Sequence, residues 1–200
     1  MADHYYTRKP GTEHDRHQLE TEIRGYKLRF ITDAGVFSKS GIDYGSRVLL
    51  DALELSEDAN VLDVGCGYGP IGITAAKLAS KGKVTMIDIN ERAVGLANEN
   101  AKLNGVSNAV ALQSDIYESV QGQTFNTIIT NPPIRAGKEV VHRIFEESAN
   151  LLAPGGAIWV VIQKKQGAPS AEAKLETIFG NVEEVTKDKG YRIFRSLKED

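Results

Sequence analysis

The chain has one cysteine, Cys66, in 200 residues, so no internal disulfide can form. With no signal peptide at its start, the sequence reads as that of a protein kept in a reducing, cytoplasmic setting. No apolar run approaches the roughly 18 residues that a membrane span requires, and no membrane partner is expected. There is no internal repeat and no low-complexity tract. Nor is positive charge in excess, since 24 lysines and arginines stand against 27 acidic residues for a net charge of −3. Contact with a nucleic acid would have to come from a local basic surface.

What is present is ordinary globular material, 41% hydrophobic and 26% charged, long enough for one domain and too short for two comfortable ones. The first 20 residues, MADHYYTRKPGTEHDRHQLE, are polar, hold three of the four histidines and show no period. They read as an arm or a poorly packed lead-in. From Ile23 to Phe30 apolar residues alternate with basic ones, with a slip at Gly25. That pattern predicts a half-exposed strand, in a hairpin with residues 30–37. Residues 21–44 are thus a β extension, and GSRVLLDALEL, residues 45–55, has helical spacing.

From Asn60 onward strands and helices alternate. NVLDVG, KVTMIDI, AVALQSD, FNTIIT and AIWVVIQ read as strands. The helices between them begin at Pro70, after Asn90, near Lys138 and near Ser170, and APGG before the fifth strand reads as a turn. VEEV and YRIFRSL close the chain as a hairpin. The fold class is therefore α/β, a doubly wound, mostly parallel sheet with an antiparallel hairpin at its edge.

Such sheets bind ligands beyond the carboxyl ends of their strands. After the first parallel strand come Gly65, Gly67 and Gly69, with Asp63 inside the strand; after the second comes Asp88; after the third, Asp115. After the fourth comes Asn131-Pro132-Pro133, and after the fifth QKKQGAPS. Taken alone, the glycine turn is ambiguous. Gly67-x-Gly69-x-x-Gly72, with Asp88 about 20 residues on, also fits the nicotinamide dinucleotide fingerprint. A single Asp at a strand end is by default a solvated residue or a helix cap. Carried by successive strands, the same residues outline a nucleoside site, with Asp63 facing a cationic group or orienting the loop and Asp115 accepting from an exocyclic amine.

VLDVGCGYGPIGI, MIDINERAVGLANENAKLNG, SDIY and IITNPPIRAGK resemble, in order and spacing, the class I S-adenosylmethionine-dependent methyltransferases. GVFSKSGIDYGSRVLLDAL and NPPIRAGK resemble in particular the branch that methylates guanine N2 in small-subunit ribosomal RNA. The similarity runs over roughly residues 20–200. It implies a Rossmann-like methyltransferase domain over 21–200, with 21–44 as extension or lid and 45–200 as catalytic core. It implies S-adenosylmethionine as cofactor, held by Asp63, Gly65, Cys66, Gly67, Gly69, Asp88, Ile89, Asp115, Ile116 and Asn131. Asn131, Pro132 and Pro133 become the catalytic turn, in which the Asn131 side-chain carbonyl and the Pro132 backbone carbonyl accept the two N–H groups of an amine. The prolines fix φ and remove donors, so the turn is rigid. Arg135, Lys138, Lys164 and Lys165 become a basic rim for phosphates. Phe37 or Tyr44 would serve as an aromatic over the site. No metal is assigned.

Two departures from the family pattern stand out. Ile134 holds the place where related amine methyltransferases often carry an aromatic, so stacking on the base would come from another side chain or apolar contact alone would hold it. Longer members look like two copies of the fold, and this chain has one, which leaves room for a homodimer. The expected partner is ribosomal RNA or the small ribosomal subunit, and the expected product a 16S guanine methylated on N2. Methylation of a protein glutamine or of adenine N6 is one alternative, since the same two acceptors suit any planar amine. A non-catalytic ribosome-assembly factor that keeps the cofactor for stability is another.

Overall fold

The structure, a computed structural model, describes residues 6–200; residues 1–5, the start of the expected arm, lie outside the described residues. Strands β1 (His17–Ile23) and β2 (Tyr26–Thr32) form an antiparallel hairpin ahead of the main sheet. This differs from the expected pairing of 23–30 with 30–37. The slip at Gly25 is the turn itself, with positive φ at Arg24 (54°) and Gly25 (82°). Glycine takes that conformation readily. At Arg24 it is held by the side chain, whose Nη1 donates to the carbonyls of Leu50 and Leu53 at 2.9 and 2.7 Å. Those carbonyls belong to the last turn and C-cap of α1 (Tyr44–Ala52).

The main sheet has seven strands in the order β5-β4-β3-β6-β7-β9-β8. Its parallel part is β3 (Asn60–Val64), β4 (Lys83–Asp88), β5 (Ala109–Gln113), β6 (Phe125–Thr130) and β7 (Leu152–Gln163). Strands β8 (Glu183–Asp188) and β9 (Tyr191–Leu197) add the expected antiparallel hairpin. Val61, Leu62 and Val64 of β3 are buried, which is why this strand reads as a continuous apolar run rather than an alternating one. The APGG turn is absorbed into β7, where the register against β6 shifts between Phe125 and Thr127 and Gly155 takes φ 80°.

Helices cover both faces. On one side α1, α2 (Pro70–Leu78), α3 (Glu91–Leu103) and the hairpin share a core that includes Phe30, Leu49, Ile73 and Leu96. On the other, α4 (Lys138–Ser148) and α5 (Ala168–Phe179) bury Ile144, Phe145 and Leu175. The hairpin is fastened to α3 by amides that imitate a neighbouring strand. Asn100 exchanges both hydrogen bonds with the backbone of Ile31, and Asn104 does the same with Arg29. Among the described residues, no helix is long and apolar enough to cross a membrane.

One feature of this topology places the site. From β3 the chain runs through α2 to β4 and then β5, and returns to β6 on the other side of β3. Loops leaving β3 and β6 therefore diverge at their carboxyl ends and open a crevice there.

Candidate active site

The turn after β3 closes on the end of β4. Gly65 and Cys66 donate their N–H groups to the Ile87 carbonyl at 2.8 and 2.9 Å, and Gly67 N–H reaches Asp88 Oδ2 at 2.9 Å. Gly69 ends the turn at φ 108°, where an added Cβ would fall 2.8 Å from Ile73 Cδ1, and Pro70 opens α2 as expected. Asp88 Oδ1 accepts the Asn90 N–H at 2.9 Å. Burial raises the Asp88 carboxyl to about 6, against the pull of the Asn90, Gly67 and Ile89 N–H groups. Behind the turn, Asp63 is fully buried and neither carboxylate oxygen has a hydrogen bond of normal geometry. The Gly72 N–H lies near enough to ease its charge, but burial dominates, and with Asp88 it lifts the Asp63 carboxyl to about 8.

Three clefts meet at the carboxyl edge. The first, about 660 Å³ including its open mouth, has apolar walls of Ile87, Ile89, Ala93 and Ile116, with Asp88 and Ser114 as polar points. The second runs beside the glycine turn along Cys66, Tyr68 and Ile71. The third is wide and open, bordered by Ile134, Arg135, Lys39, Gln163, Gln166 and Tyr191. Phe37 and Asn131 border all three.

Asn131 leaves β6 where Thr130 Oγ1 ties that strand to β3, donating to the Val64 carbonyl at 3.0 Å. Its Nδ2 donates to Asp43 Oδ2 at 2.9 Å and to Ser46 Oγ at 3.0 Å, while among the described residues no donor takes Oδ1. The carbonyls of Pro133 and Ile134 are used within the turn, by the N–H groups of Ala136 (3.0 Å) and Gly137 (3.1 Å). Among the described residues that of Pro132 receives no backbone N–H. The turn thus presents two acceptors, Asn131 Oδ1 and Pro132 C=O, and the Asn131 Nδ2 donor is already engaged.

The structure brings together Gly65, Gly67, Asp88, Ile89, Ile116, Asn131, Pro132 and Pro133 on the first cleft, with Phe37 beside them. Cys66 lines the second, and Ile134 and Arg135 the third. Others stand apart. Asp63 lies behind the turn and Gly69 at its end, neither in a cleft wall, and Asp115, beside the first cleft rather than in its wall, is paired with Arg8 at 3.1 Å. Lys138 opens onto a separate hollow shared with His142 and Ser170, and Lys164 and Lys165 are exposed on the turn after β7. Tyr44 faces away, bonded to Asp188 and packed on Tyr191. Among the described residues no group of three His, Cys, Asp or Glu is placed to hold a metal.

Sequence reasoning missed Asp43 and Ser46, whose only local signal is an N-cap ahead of α1. It also missed the arm. Tyr6 lines the first cleft, and the Arg8 carbonyl accepts from Glu91 N–H at 2.9 Å and Gln113 Nε2 at 3.1 Å. Arg92 Nη2 fastens the Thr12 carbonyl at 2.8 Å. The arm is packed along the cleft rather than loose.

A doubly wound sheet whose carboxyl edge carries a glycine turn, a carboxylate at the end of the next strand and a turn with two acceptors has the architecture of a nucleotide-binding α/β domain. The chain belongs to the methyltransferase small domain family, matched over residues 27–195. It is 50% identical to the Bacillus subtilis protein YbxB, itself described as uncharacterized, over 99% of this chain and 100% of that one. It is 33% identical to ribosomal RNA small subunit methyltransferase C of Vibrio cholerae, over 88% of this chain and 52% of that one. Among solved structures it is similar to the Thermus thermophilus 16S rRNA N2 G1207 methyltransferase RsmC, determined with AdoMet and guanosine. There the TM-score is 0.83 at 27% identity, covering 95% of this chain and 52% of the other. The chain thus spans about half the length of the two rRNA methyltransferases.

Proposed function

We propose that this chain transfers a methyl group from S-adenosylmethionine to the exocyclic N2 of a guanine in 16S ribosomal RNA, working in the cytoplasm on RNA or on the small subunit. The observation that carries this is the Asn131 amide, which borders all three clefts, is tethered through Nδ2 and, among the described residues, leaves Oδ1 without a donor. The Vibrio and Thermus relatives, whose names specify small-subunit rRNA methylation and N2 of a 16S guanine, support the acceptor.

S-adenosylmethionine supplies, when bound, a methyl group made electrophilic by its sulfonium. The residues present fit it. Ile87, Ile89 and Ile116 give apolar walls for a purine, and Asp88, fixed by N–H bonds, accepts from ribose hydroxyls. Asp63, buried behind the glycine turn and outside the walls of the clefts, orients that loop. The second cleft extends from the same glycine turn for the remainder of the molecule.

On the other side, Asn131 Oδ1 and Pro132 C=O each accept one N–H of the amine. That favours a pyramidal nitrogen, exposes its lone pair and stabilises the positive charge that grows on it. Neither acceptor titrates, which suits a neutral nucleophile. Ile134 gives apolar contact to the base, Phe37 covers it, and Arg135 with Lys138, Lys164 and Lys165 meets the phosphates.

Tritiated S-adenosylmethionine offered with ribosomal RNA, assembled 30S particles and cell protein tests the acceptor. Label is expected in N2-methylguanosine, and label confined to protein would sink the assignment. Asn131→Ala is expected to cut turnover by about 100-fold or more with cofactor affinity nearly unchanged. Calorimetry showing tight binding of NAD and none of S-adenosylmethionine would refute the cofactor.

A further inference from the structure

We infer that Asp43, with Ser46 as its second contact, is a positioning residue for methyl transfer, locking the Asn131 amide with its oxygen toward the acceptor amine. This rests on the role given to Asn131 above. Asp43 stands just before α1, 88 positions from Asn131, and all the hydrogen bonds recorded for its carboxylate fall on Oδ2. That oxygen accepts the Ser46 N–H at 3.0 Å, which is an ordinary helix cap, and the Asn131 Nδ2 at 2.9 Å. Ser46 Oγ accepts from the same Nδ2 at 3.0 Å.

The cap alone does not call for an acid, because Ser or Thr caps a helix about as well. The amide does. A primary amide turned over about its last bond exchanges O and NH₂ with almost no change in shape. A hydroxyl partner tolerates either face, since it both donates and accepts, whereas a carboxylate only accepts. Turning Asn131 over would set Oδ1 against the Asp43 oxygen and forfeit both N–H bonds. It would also aim an NH₂ group at the incoming amine, where only an acceptor is useful. Hydrogen bonds to a charged acceptor are roughly twice as strong as neutral ones, so the lock holds.

Two electrostatic consequences follow from using a charge there. A carboxylate on the NH₂ side polarises the amide and makes Oδ1 a better acceptor. It also places negative charge near the nitrogen as the N–C bond forms and the C–S bond breaks, with sulfur keeping the electron pair and nitrogen turning cationic. The amine then releases one proton to solvent. Asp43 orients and polarises; it does not take that proton.

The experiment compares steady-state rates for Asp43→Ser, Ser46→Ala, Asn131→Ala and the Asp43→Ser/Asn131→Ala double variant, on whichever acceptor the unmodified chain methylates. Serine keeps the α1 cap, so melting temperature is expected within a few degrees of the unmodified chain. Expected is a fall in kcat of about tenfold or more for Asp43→Ser at little-changed KM, a smaller fall for Ser46→Ala, and a double variant no slower than Asn131→Ala alone. Losses that multiply in the double variant, or wild-type kcat in Asp43→Ser, overturn the inference while leaving the role of Asn131 standing. Normal turnover in Asn131→Ala would instead remove the proposed role and this inference with it. Should Asp43→Ser fail to fold, Asp43→Thr keeps a capping hydroxyl while withdrawing the carboxylate from Asn131, and the same fall in kcat at unchanged melting decides the matter.

Discussion

Gly72 of α2 lies so close to Asp63 of β3 that a Cβ on it would sit 3.0 Å from Asp63 Oδ2, and 2.3 Å from Met86 Cγ on β4. The first turn of the helix is pressed onto the sheet at the point where the glycine turn begins. Its N–H groups are then the nearest source of relief for a carboxyl that has no other donor. Strand, helix start and buried acid form one unit, and disturbance of any of them reaches the cleft.

Asp63 makes the ligand-free protein less stable as pH rises. Its carboxyl, lifted to about 8 in the fold from 3.8, binds a proton that the unfolded chain has already lost. The associated stability is complete below about pH 4 and is lost as pH rises through 8, at up to about 1.4 kcal/mol per pH unit. Asp63→Asn lacks this slope, so without cofactor it is expected to melt progressively higher than the unmodified chain between pH 5 and pH 8. A gap that stays constant over that range, followed by calorimetry, would show that Asp63 is already ionised in the fold.

Two glycine replacements separate packing from propensity. Gly72→Ala must displace Met86, and overpacking of this kind costs about 1–3 kcal/mol, so melting should fall by several degrees. Gly95→Ala, on the exposed side of α3 with nothing within 4 Å of the added Cβ, should stabilise by about 0.5–1 kcal/mol. Denaturant melts of both decide it. Equal effects would mean that the helix–sheet contact has room for a methyl group.

Much of this was legible in the chain because the physics is local. Buried strands such as Val61–Val64 announce themselves by apolar runs, helix starts by Pro70 and Asn90, and turns by glycine. Gly25 shows how a local signal can be seen and still misplaced. Its break in alternation was visible, but β1 is mostly exposed and polar, so nothing in it marked a strand. APGG was misread for the opposite reason, since it continues β7 across a gap in the β6 register, tied by Gly155 and Gly156 to the backbone of Lys198, which no turn rule foresees. Asp43 and Tyr6 lay out of reach because their meaning depends on what the fold brings to them from far along the chain: Asn131 in one case, the ends of β4 and β5 in the other.

The packed arm predicts a role in holding the cofactor. Tyr6 contributes a wall of the first cleft, and the arm behind it is pinned at Glu91, Gln113 and Asp115. Tyr6→Ala removes apolar contact of the order of 1 kcal/mol, so S-adenosylmethionine should bind about fivefold more weakly, mainly through faster release. Melting of the free protein should hardly move, because Tyr6 lies outside both main cores. Stopped-flow displacement of bound cofactor measures this directly, and an unchanged release rate would reduce the arm to surface packing.

The basic rim makes a prediction about salt rather than about chemistry. Lys164 and Lys165 are exposed on the turn after β7, set off from the acceptor cleft that Gln163 and Gln166 line. At that place they can meet phosphates flanking the target nucleotide, but not the base itself. Each phosphate contact releases counterions, so Lys164→Ala/Lys165→Ala should weaken RNA binding and flatten the log–log salt dependence by about 1–2. Turnover at saturating RNA should be nearly unchanged, in contrast with Asn131→Ala. Fluorescence anisotropy with a labelled ribosomal RNA hairpin across a salt series separates the two effects. A weaker affinity with the original salt slope would mean that these lysines shape the loop rather than touch the backbone of the RNA.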